Sequence, residues 1–228
     1  MDVGDSLECV ASFADSDGGT VSASSSVLIE NTAPVLDQSS LSPAAGVTTS
    51  ASLSCSGQGS DIDQDSLTVS YAWENLSQGT ALGSGASLSL SPATSQPGDQ
   101  VQCTVSVDDG NGGSASASHS ITVENTAPVY SGTGMSWCAE PCNSPGMGYN
   151  DGTLYCYGDG DDADNQSLTS SVEWSNSRTG AVLSSGAGVF EAQYSRWMSS
   201  LTLSSAVAVP GDDIVCTMTL SDSSGGSD

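Results

Sequence analysis

The sequence of 228 residues contains no lysine, only two arginines (Arg178 and Arg196) and a single histidine, His119. With 27 acidic side chains, the formal net charge is −25 at pH 7. Nucleic-acid binding depends on Lys and Arg contacts to phosphate, so this charge excludes nucleic acid as a partner. The same charge excludes a basic patch that binds anionic lipid. Because lysine is absent, the chain cannot contain a lysine nucleophile, a lysine Schiff base, a P-loop lysine or a Lys-Asn isopeptide crosslink.

Large apolar residues are scarce as well: Leu, Ile, Val and Phe make up 40 of the 228 residues, against 47 serines. Few apolar residues and a high net charge are typical of disorder. Two features favour a folded chain instead, namely seven cysteines and repeated two-residue alternation of apolar and polar positions. Disulfides stabilise thin cores, and cysteines in such a chain indicate an oxidising, extracellular or cell-surface location.

No apolar run approaches the roughly 20 residues that cross a bilayer, so we expect no membrane insertion in this segment. The first residues, Met1–Asp5, have neither the basic nor the apolar part of a signal peptide. Together with the repeats described next, this predicts a section of a longer extracellular protein.

Internal repeats organise the chain. The segment Glu30–Val35 recurs unchanged as Glu124–Val129, 94 residues later, and Cys9 and Cys103 are also 94 residues apart in matching segments. A third copy of that cysteine segment surrounds Cys216. We therefore predict the back part of a repeat over 1–35, a complete repeat over 36–129, and a repeat with insertions and no last strand over 130–228.

Strand patterns recur in each repeat. Val101, Cys103, Val105 and Val107 alternate with polar residues, as in a half-buried strand. The segment 109–113, Asp-Gly-Asn-Gly-Gly, is typical of a turn between two strands, and helix patterns are nearly absent. About seven short strands per repeat predict an all-β chain of tandem immunoglobulin-like antiparallel sandwiches in a linear array.

The cysteines fit this fold. Cys55 and Cys103 flank Trp73, and Cys156 and Cys216 flank Trp174 in the same way. A disulfide between the two sheets with a core tryptophan beside it is the immunoglobulin arrangement. We expect both pairs to be bonded, the alternative being free buried thiols.

The remaining three cysteines have different explanations. Cys138 and Cys142 lie in an insertion, where a local disulfide is favoured over a metal or redox pair because no histidine or second cysteine pair is near. Cys9 is the odd thiol, and we expect its partner in the front part of the first repeat.

Several motifs resemble the tandem Ig-like and cadherin-like repeats of large bacterial surface proteins. They are Asp-x-Asp-x-Asp-Ser-Leu at 61–67, Asp-Asp-Gly-Asn-Gly-Gly-Ser at 108–114 and Val-Glu-Asn-Thr-Ala-Pro-Val at 123–129. The resemblance covers most of the chain outside the insertions at 130–153 and 184–200. It implies a stalk, adhesin or fibre, commonly stiffened by calcium between domains.

The acidic clusters fit that implication, because calcium takes 6–8 oxygen ligands and the loops concerned share one pole of an Ig-type sandwich. Solvated turn residues are the alternative. The candidate ligands fall into two groups, one per linker: Glu30, Asn31, Asp61, Asp63, Asp65, Asp109 and Asn111, and then Glu124, Asn125, Asp162, Asp164 and Asp222.

Catalysis has little support. One histidine and disulfide-bonded cysteines do not make a zinc site, and Ser and Asp are too common for their proximity to indicate a triad. We expect no enzyme. Five aromatic residues of the third repeat are candidates for a contact site. They could form a platform for a glycan or a contact between subunits, and the alternative is that they pack over the flank of the domain: Trp137, Tyr149, Phe190, Tyr194 and Trp197.

The sequence therefore predicts an extracellular structural protein, a segment of a surface stalk, adhesin or polymeric filament. Its partners would be other copies of itself, adjacent repeats, or a surface ligand or glycan. The alternative is an accessory module of a secreted protein that binds carbohydrate or protein.

Overall fold

The computed structural model describes residues 3–136 and 152–228. Within these ranges the secondary structure consists of strands and turns, with no helix, so the predicted all-β fold class is confirmed. The predictions for Trp137, Cys138, Cys142 and Tyr149 lie outside the described residues.

The chain divides into two compact units. The first comprises Met1–Val47, Ala51–Leu90 and Asp99–Val123. It contains a two-stranded sheet, β1-β2, and two facing sheets in the orders β3-β4-β7 and β6-β5-β8-β9. Its strands are β1 Ser6–Ala14, β2 Thr20–Leu28, β3 Val35–Ser42, β4 Ser52–Ser60, β5 Thr68–Asn75, β6 Thr80–Ser84, β7 Ser87–Ser89, β8 Gln100–Asp108 and β9 Ser114–Thr122.

The second unit comprises Thr48–Ser50, Ser91–Gly98 and Glu124–Asp228. Its two sheets have the orders β10-β11-β15-β14 and β13-β12-β16. Its strands are β10 Val129–Ser136, β11 Thr153–Asp161, β12 Thr169–Asn176, β13 Ala181–Ala187, β14 Val189–Glu191, β15 Arg196–Thr202 and β16 Ile214–Ser221.

Alternation along the strands builds the cores. The apolar positions of β8 are completely buried, while its intervening polar residues are more exposed, as the sequence predicted. The core of the first unit groups Val47, Leu53, Cys55, Trp73, Leu90, Val101, Cys103, Val105 and Val123. That of the second groups Leu154, Cys156, Val172, Trp174, Leu201, Leu203 and Ala208.

A disulfide beside a tryptophan joins the two sheets in each unit. Cys55 on β4 is bonded to Cys103 on β8, and Trp73 lies directly opposite Cys103 on the neighbouring strand. In the second unit the bond joins Cys156 on β11 to Cys216 on β16. Each bond is worth about 2–4 kcal/mol in a fold of this size, which matters because both cores are thin.

Both tryptophans are 1% exposed, and each indole nitrogen is satisfied. Trp73 Nε1 donates a hydrogen bond of 2.8 Å to the carbonyl oxygen of Gly85, and Trp174 Nε1 donates one of 3.1 Å to Ser199 Oγ. Both residues lie within the buried clusters of their units.

The segment 184–200, predicted as an insertion, belongs to the sheets. β15 pairs with β11 as β7 pairs with β4, and the short β14 adds a further strand outside β15. Since β14 has no counterpart in the β3-β4-β7 sheet, the extra residues of the third repeat add a strand to the sheet. Phe190 and Trp197 are cross-strand neighbours with ring centroids 5.3 Å apart.

The β1-β2 ribbon differs from both sandwiches because it is exposed over its full length. Phe13, Val21 and Val27 are each more than half exposed, and Cys9 is an exposed free thiol.

Candidate cation sites at two linkers

The first candidate site is built on the loop that joins β4 to β5. Asp61 Oδ1 accepts a hydrogen bond of 2.7 Å from the backbone amide of Asp63, and Gln64 takes a positive φ of 66°. This tight turn brings oxygens of Asp61, Asp63 and Asp65 within 4.8 Å of one another. Unit charges at about 4 Å repel by roughly 1 kcal/mol in bulk water and by more where water is partly excluded.

The linker after β2 is tied to this loop and to the β8–β9 turn. The backbone amide of Thr32 donates to Asp63 Oδ2 at 2.7 Å, and Asn31 Nδ2 donates to Asp109 Oδ2 at 2.8 Å. Asn111 Nδ2 donates to Asp65 Oδ2 at 2.9 Å, which joins the turn to the loop. Six of the seven residues predicted for this site therefore lie in one hydrogen-bonded cluster, whereas Glu30 is exposed.

Two buried oxygens in this cluster lack a hydrogen-bond donor among the described residues, Asn31 Oδ1 and Asp61 Oδ2. Buried polar atoms in proteins are nearly always hydrogen-bonded or bound to an ion or water. Both atoms are of the oxygen type that hard divalent cations prefer.

The second linker repeats the arrangement within the second unit. Asp162 Oδ1 accepts from the backbone amide of Asp164 at 2.8 Å, and Asn165, like Gln64, has a positive φ. The amide of Thr126 donates to Asp164 Oδ2 at 2.6 Å, and Asn125 Nδ2 donates to Asp222 Oδ2 at 2.9 Å. Glu124 is exposed.

Three buried oxygens of the second cluster also lack a donor within the described part of the chain: Asn125 Oδ1, Asp162 Oδ2 and Gln166 Oε1. Asn125 Oδ1 and Asp162 Oδ2 correspond to Asn31 Oδ1 and Asp61 Oδ2, the two oxygens without a hydrogen-bond donor at the first linker. The same polar geometry, with the same unsatisfied atoms, is thus present twice.

The two clusters differ at one loop position and its neighbour. Gln166 stands where the first loop has Asp65, and Ser224 stands where the first turn has Asn111. Gln166 Nε2 donates to Ser224 Oγ at 2.6 Å, which preserves the loop-to-turn contact without a charge. The first site has four carboxylates and the second has three.

Asp164 is completely buried. Thr49 Oγ1 donates to its Oδ1 at 2.5 Å, in addition to the amide of Thr126 at Oδ2. Nothing in the sequence singled out Thr49, because it lies in a loop without a repeated motif. Thr32 and Thr126 were also missed as contacts, although the repeated Asn-Thr-Ala-Pro segment contains both.

The pKa of Asp109 is lowered, chiefly by the hydrogen bond from the Asn31 side chain, although burial opposes this. At Asp222 burial has the largest influence and raises the pKa, but hydrogen bonds from Asn125 and from the amides of Gly226 and Ser224 outweigh it, so the pKa is lowered. Both carboxylates are therefore ionised at neutral pH.

Residues 31–122 match the family model of the bacterial Ig domain, a range that covers the first linker and β3 to β9. No curated protein matches the chain. The match at residues 31–122 and the sheet topology support a class of immunoglobulin-like β-sandwiches, and each described sandwich is closed by a disulfide. In the described ranges, no helix has the length and hydropathy that crossing a bilayer requires.

Proposed function

We propose that this chain is an extracellular structural protein, a stretch of a surface stalk, adhesin or filament in which calcium fixes the linkers between Ig-like repeats. The observation that carries the proposal is the repeated cluster: at both linkers an Asn amide oxygen and an Asp carboxylate oxygen are buried without a donor. Disulfide-closed sandwiches of a bacterial Ig type support the extracellular location.

Calcium at the first linker would be held by Asp61, Asp63, Asp65 and Asp109 with the amide oxygen of Asn31. At the second, the residues are Asp162, Asp164 and Asp222 with the amide oxygens of Asn125 and Gln166. Both sets contain only oxygen donors, which suits calcium and magnesium rather than zinc or copper. A bound cation would neutralise clustered carboxylates and fix the linker on its loops.

This role agrees with the charge of the chain. A net charge of −25 keeps chains apart and favours extended arrangements. A linker without a bound cation would bring its carboxylates together at a cost in free energy, so calcium would act as the switch between a loose and a stiff linker.

Thermal unfolding with calcium and then with excess chelator tests the proposal. We expect the melting temperature to rise with calcium and to return in chelator, and small-angle scattering to show a narrower range of particle dimensions with calcium. Asp17→Asn is the matched control, because it removes one exposed negative charge at the β1–β2 turn. Identical melting and scattering in calcium and chelator would contradict the calcium role.

A second function has one observation in its favour. Phe190 is half exposed and packs edge-on against Trp197, and an exposed aromatic pair on a sheet is suited to stacking on sugar rings or on an apolar partner surface. A glycan array with the Phe190→Ala variant tests the accessory binding module: binding that the variant loses would support it, and a blank array would leave the structural role.

A further inference from the structure

The turn between β8 and β9 contains the only Asn-Gly pair of the sequence, Asn111-Gly112. Both residues are exposed, and Gly112 has a positive φ of 98°. Glycine has no side chain to hinder an approach to its amide nitrogen. In an exposed Asn-Gly turn, the glycine nitrogen can therefore reach the side-chain carbonyl carbon of the asparagine more readily than any larger residue would allow.

The amide nitrogens on either side of Gly112 are held by hydrogen bonds. The amides of Asn111 and Gly113 donate to Asp109 Oδ1 at 2.8 and 2.9 Å. Within the described ranges, the amide of Gly112 donates to no acceptor. The nitrogen that would attack Asn111 is thus the one that the turn does not engage.

The same turn occurs three times in the chain, with a different residue at the position of Asn111. The β1–β2 turn has Asp17 there, and the turn after β16 has Ser224. In each copy the amide of this residue donates to the aspartate two residues earlier, at 2.8 to 3.0 Å. A glycine with φ between 88° and 98° follows in each copy. The turn therefore accepts aspartate, asparagine or serine with the same backbone.

The side chain of Asn111 is also part of the first cluster. Its Nδ2 donates to Asp65 Oδ2 at 2.9 Å, which joins the turn to the acidic loop. The turn lies against the linker as well, because a Cβ on Gly113 would stand 2.7 Å from Ala33 Cα and 3.0 Å from Pro34 Cδ. A chemical change at residue 111 therefore acts on both the loop and the linker.

We propose that Asn111 is a site of spontaneous deamidation, with water as the co-reactant. The Gly112 amide nitrogen attacks Asn111 Cγ, so that an N–Cγ bond forms and the Cγ–Nδ2 bond breaks. Ammonia leaves with the proton of the Gly112 amide, and a succinimide ring remains. Water opens the ring at either carbonyl carbon, which gives aspartate or isoaspartate, and no atom is oxidised or reduced.

The charged product changes the first linker. An ionised carboxylate at residue 111 has no proton to donate to Asp65, so repulsion between like charges replaces a hydrogen bond. Without a cation, we expect the turn to separate from the acidic loop. With a cation, the cluster has one carboxylate more, and calcium affinity rises with ligand charge. The gain in affinity rests on the proposed calcium role, whereas the reaction and the lost hydrogen bond do not.

Isoaspartate has a further effect because its main chain runs through the former side chain, which adds a carbon atom to the turn. The close approach of Gly113 to Ala33 leaves no space for a longer turn. Aspartate fits the turn, since Asp17 makes the same backbone contact in the first copy. We therefore expect isoaspartate to disturb the linker more than aspartate does.

The reaction is tested by incubating the wild-type chain in warm, mildly alkaline buffer with chelator. After reduction, cleavage at glutamate releases residues 75–124 as one peptide, which contains both Asn75 and Asn111. Tandem mass spectrometry should place the conversion of an amide to a carboxyl group at residue 111, and an isoaspartyl methyltransferase should label the same peptide. A sample digested without incubation gives the baseline.

Asn75 is the internal control in that peptide. It is completely buried, and its Oδ1 accepts a hydrogen bond from the amide of Ser77. Because its side chain reacts only when the fold opens locally, we expect Asn111 to deamidate faster than Asn75 by on the order of tenfold or more.

Two variants test the effect on the linker, and each uses a residue that the chain already has in this turn. Asn111→Asp reproduces the charged product, as at Asp17, and Asn111→Ser keeps a donor without a charge, as at Ser224. In chelator we expect the melting temperature of Asn111→Asp to fall by on the order of 5 °C and that of Asn111→Ser to change less. In calcium titrations Asn111→Asp should bind on the order of tenfold more tightly than Asn111→Ser.

Deamidation at residue 111 that is no faster than at Asn75 would overturn the modification site. Equal melting of the Asn111→Asp and Asn111→Ser variants in chelator would overturn its effect on the linker. A wild-type chain that binds no calcium would contradict the proposed function, but it would leave both of these results in chelator unchanged. The two failures are therefore distinguishable.

Discussion

The two linkers are held by the same hydrogen bonds but by loops of different charge. At each, an asparagine side chain donates to an aspartate after the second cysteine strand, and a threonine amide donates to the middle aspartate of the loop. The first cluster contains a fourth carboxylate, Asp65, where the second has Gln166. The hydrogen bonds that position each linker are the same at the two sites, whereas the number of carboxylates, which we expect to set the affinity for a cation, differs between them.

Because calcium affinity rises with the number of charged ligands, we expect the first site to bind more tightly than the second. The second has a compensating contact, the Thr49 hydroxyl on the buried Asp164, which holds that aspartate without a cation. The first linker should therefore depend on calcium more than the second.

The largest expected effect is the loss of calcium stabilisation in the Asp61→Asn/Asp63→Asn variant. Asparagine keeps an oxygen acceptor for the Thr32 amide but removes two charges. A ligand at 100 times its dissociation constant stabilises by about 2.7 kcal/mol, which corresponds to a melting shift on the order of 10 °C for a domain of this size. Calorimetric melting in saturating calcium should show a loss of that order.

The matched variant is Asp162→Asn/Asp164→Asn, for which we expect a smaller calcium-dependent loss. In chelator the Asp61→Asn/Asp63→Asn variant should melt within a few degrees of the wild type. Asp162→Asn/Asp164→Asn should melt lower in chelator too, because Asp164 is buried and accepts hydrogen bonds from Thr49 and Thr126, so only the difference between calcium and chelator is compared. Equal losses in calcium and chelator would mean that the carboxylates act through hydrogen bonds alone.

The next largest expected effect is the loss of stability when the asparagine of each linker is replaced by alanine. Asn31→Ala removes the donor to Asp109, and Asn125→Ala removes the donor to Asp222. Hydrogen bonds to charged groups contribute about 1.5–3 kcal/mol, and partial exposure places these at the lower end. We expect each variant to be destabilised by about 1.5 kcal/mol in chelator, as measured by urea unfolding. Stability equal to that of the wild type would show that the linkers are held by other contacts.

A reciprocal exchange sharpens the comparison of the two sites. Gln166→Asp gives the second loop the charge of the first, and Asp65→Gln does the reverse. We expect about a tenfold gain and a tenfold loss of calcium affinity, each about 1.4 kcal/mol, in calorimetric titrations. If both exchanges leave the affinities unchanged, this loop position does not contact the cation.

The smallest expected effect is on the pH dependence of stability, through the carboxylates of Asp109 and Asp222. Because the pKa values of Asp109 and Asp222 are lowered in the fold, their contribution to stability is complete above the usual carboxyl range of about 4 and is lost as the pH falls through their folded pKa values. In the Asn31→Ala variant, NMR titration should show a higher pKa for Asp109, because the hydrogen bond from the Asn31 side chain is the main cause of the lowered pKa. An unchanged Asp109 titration would contradict the contact.

Much of the fold could be predicted because it depends on local pattern. The alternation in β8, the two cysteine pairs and the tryptophan between each pair indicated a sandwich, and the structure has all three. The domain boundaries at 1–35, 36–129 and 130–228 stay predictions.

The candidate sites could be predicted in part for the same reason. Repeated acidic motifs identified Asp61, Asp63 and their counterparts, but Thr49 and the threonine amides contribute through tertiary contacts that no motif marks. The strands β14 and β15 were missed because glycine and serine surround their few apolar residues. Sequence patterns report alternation well and long-range hydrogen bonds poorly.

We propose that both linkers bind calcium and that the first binds it more tightly than the second. Isothermal titration of the metal-free wild-type chain with calcium tests it most directly, with the Asp61→Asn/Asp63→Asn variant beside it. We expect two classes of calcium-binding site in the wild type, and the variant should lose the tighter class. A titration without binding heat at several temperatures, together with melting that chelator does not change, would contradict it.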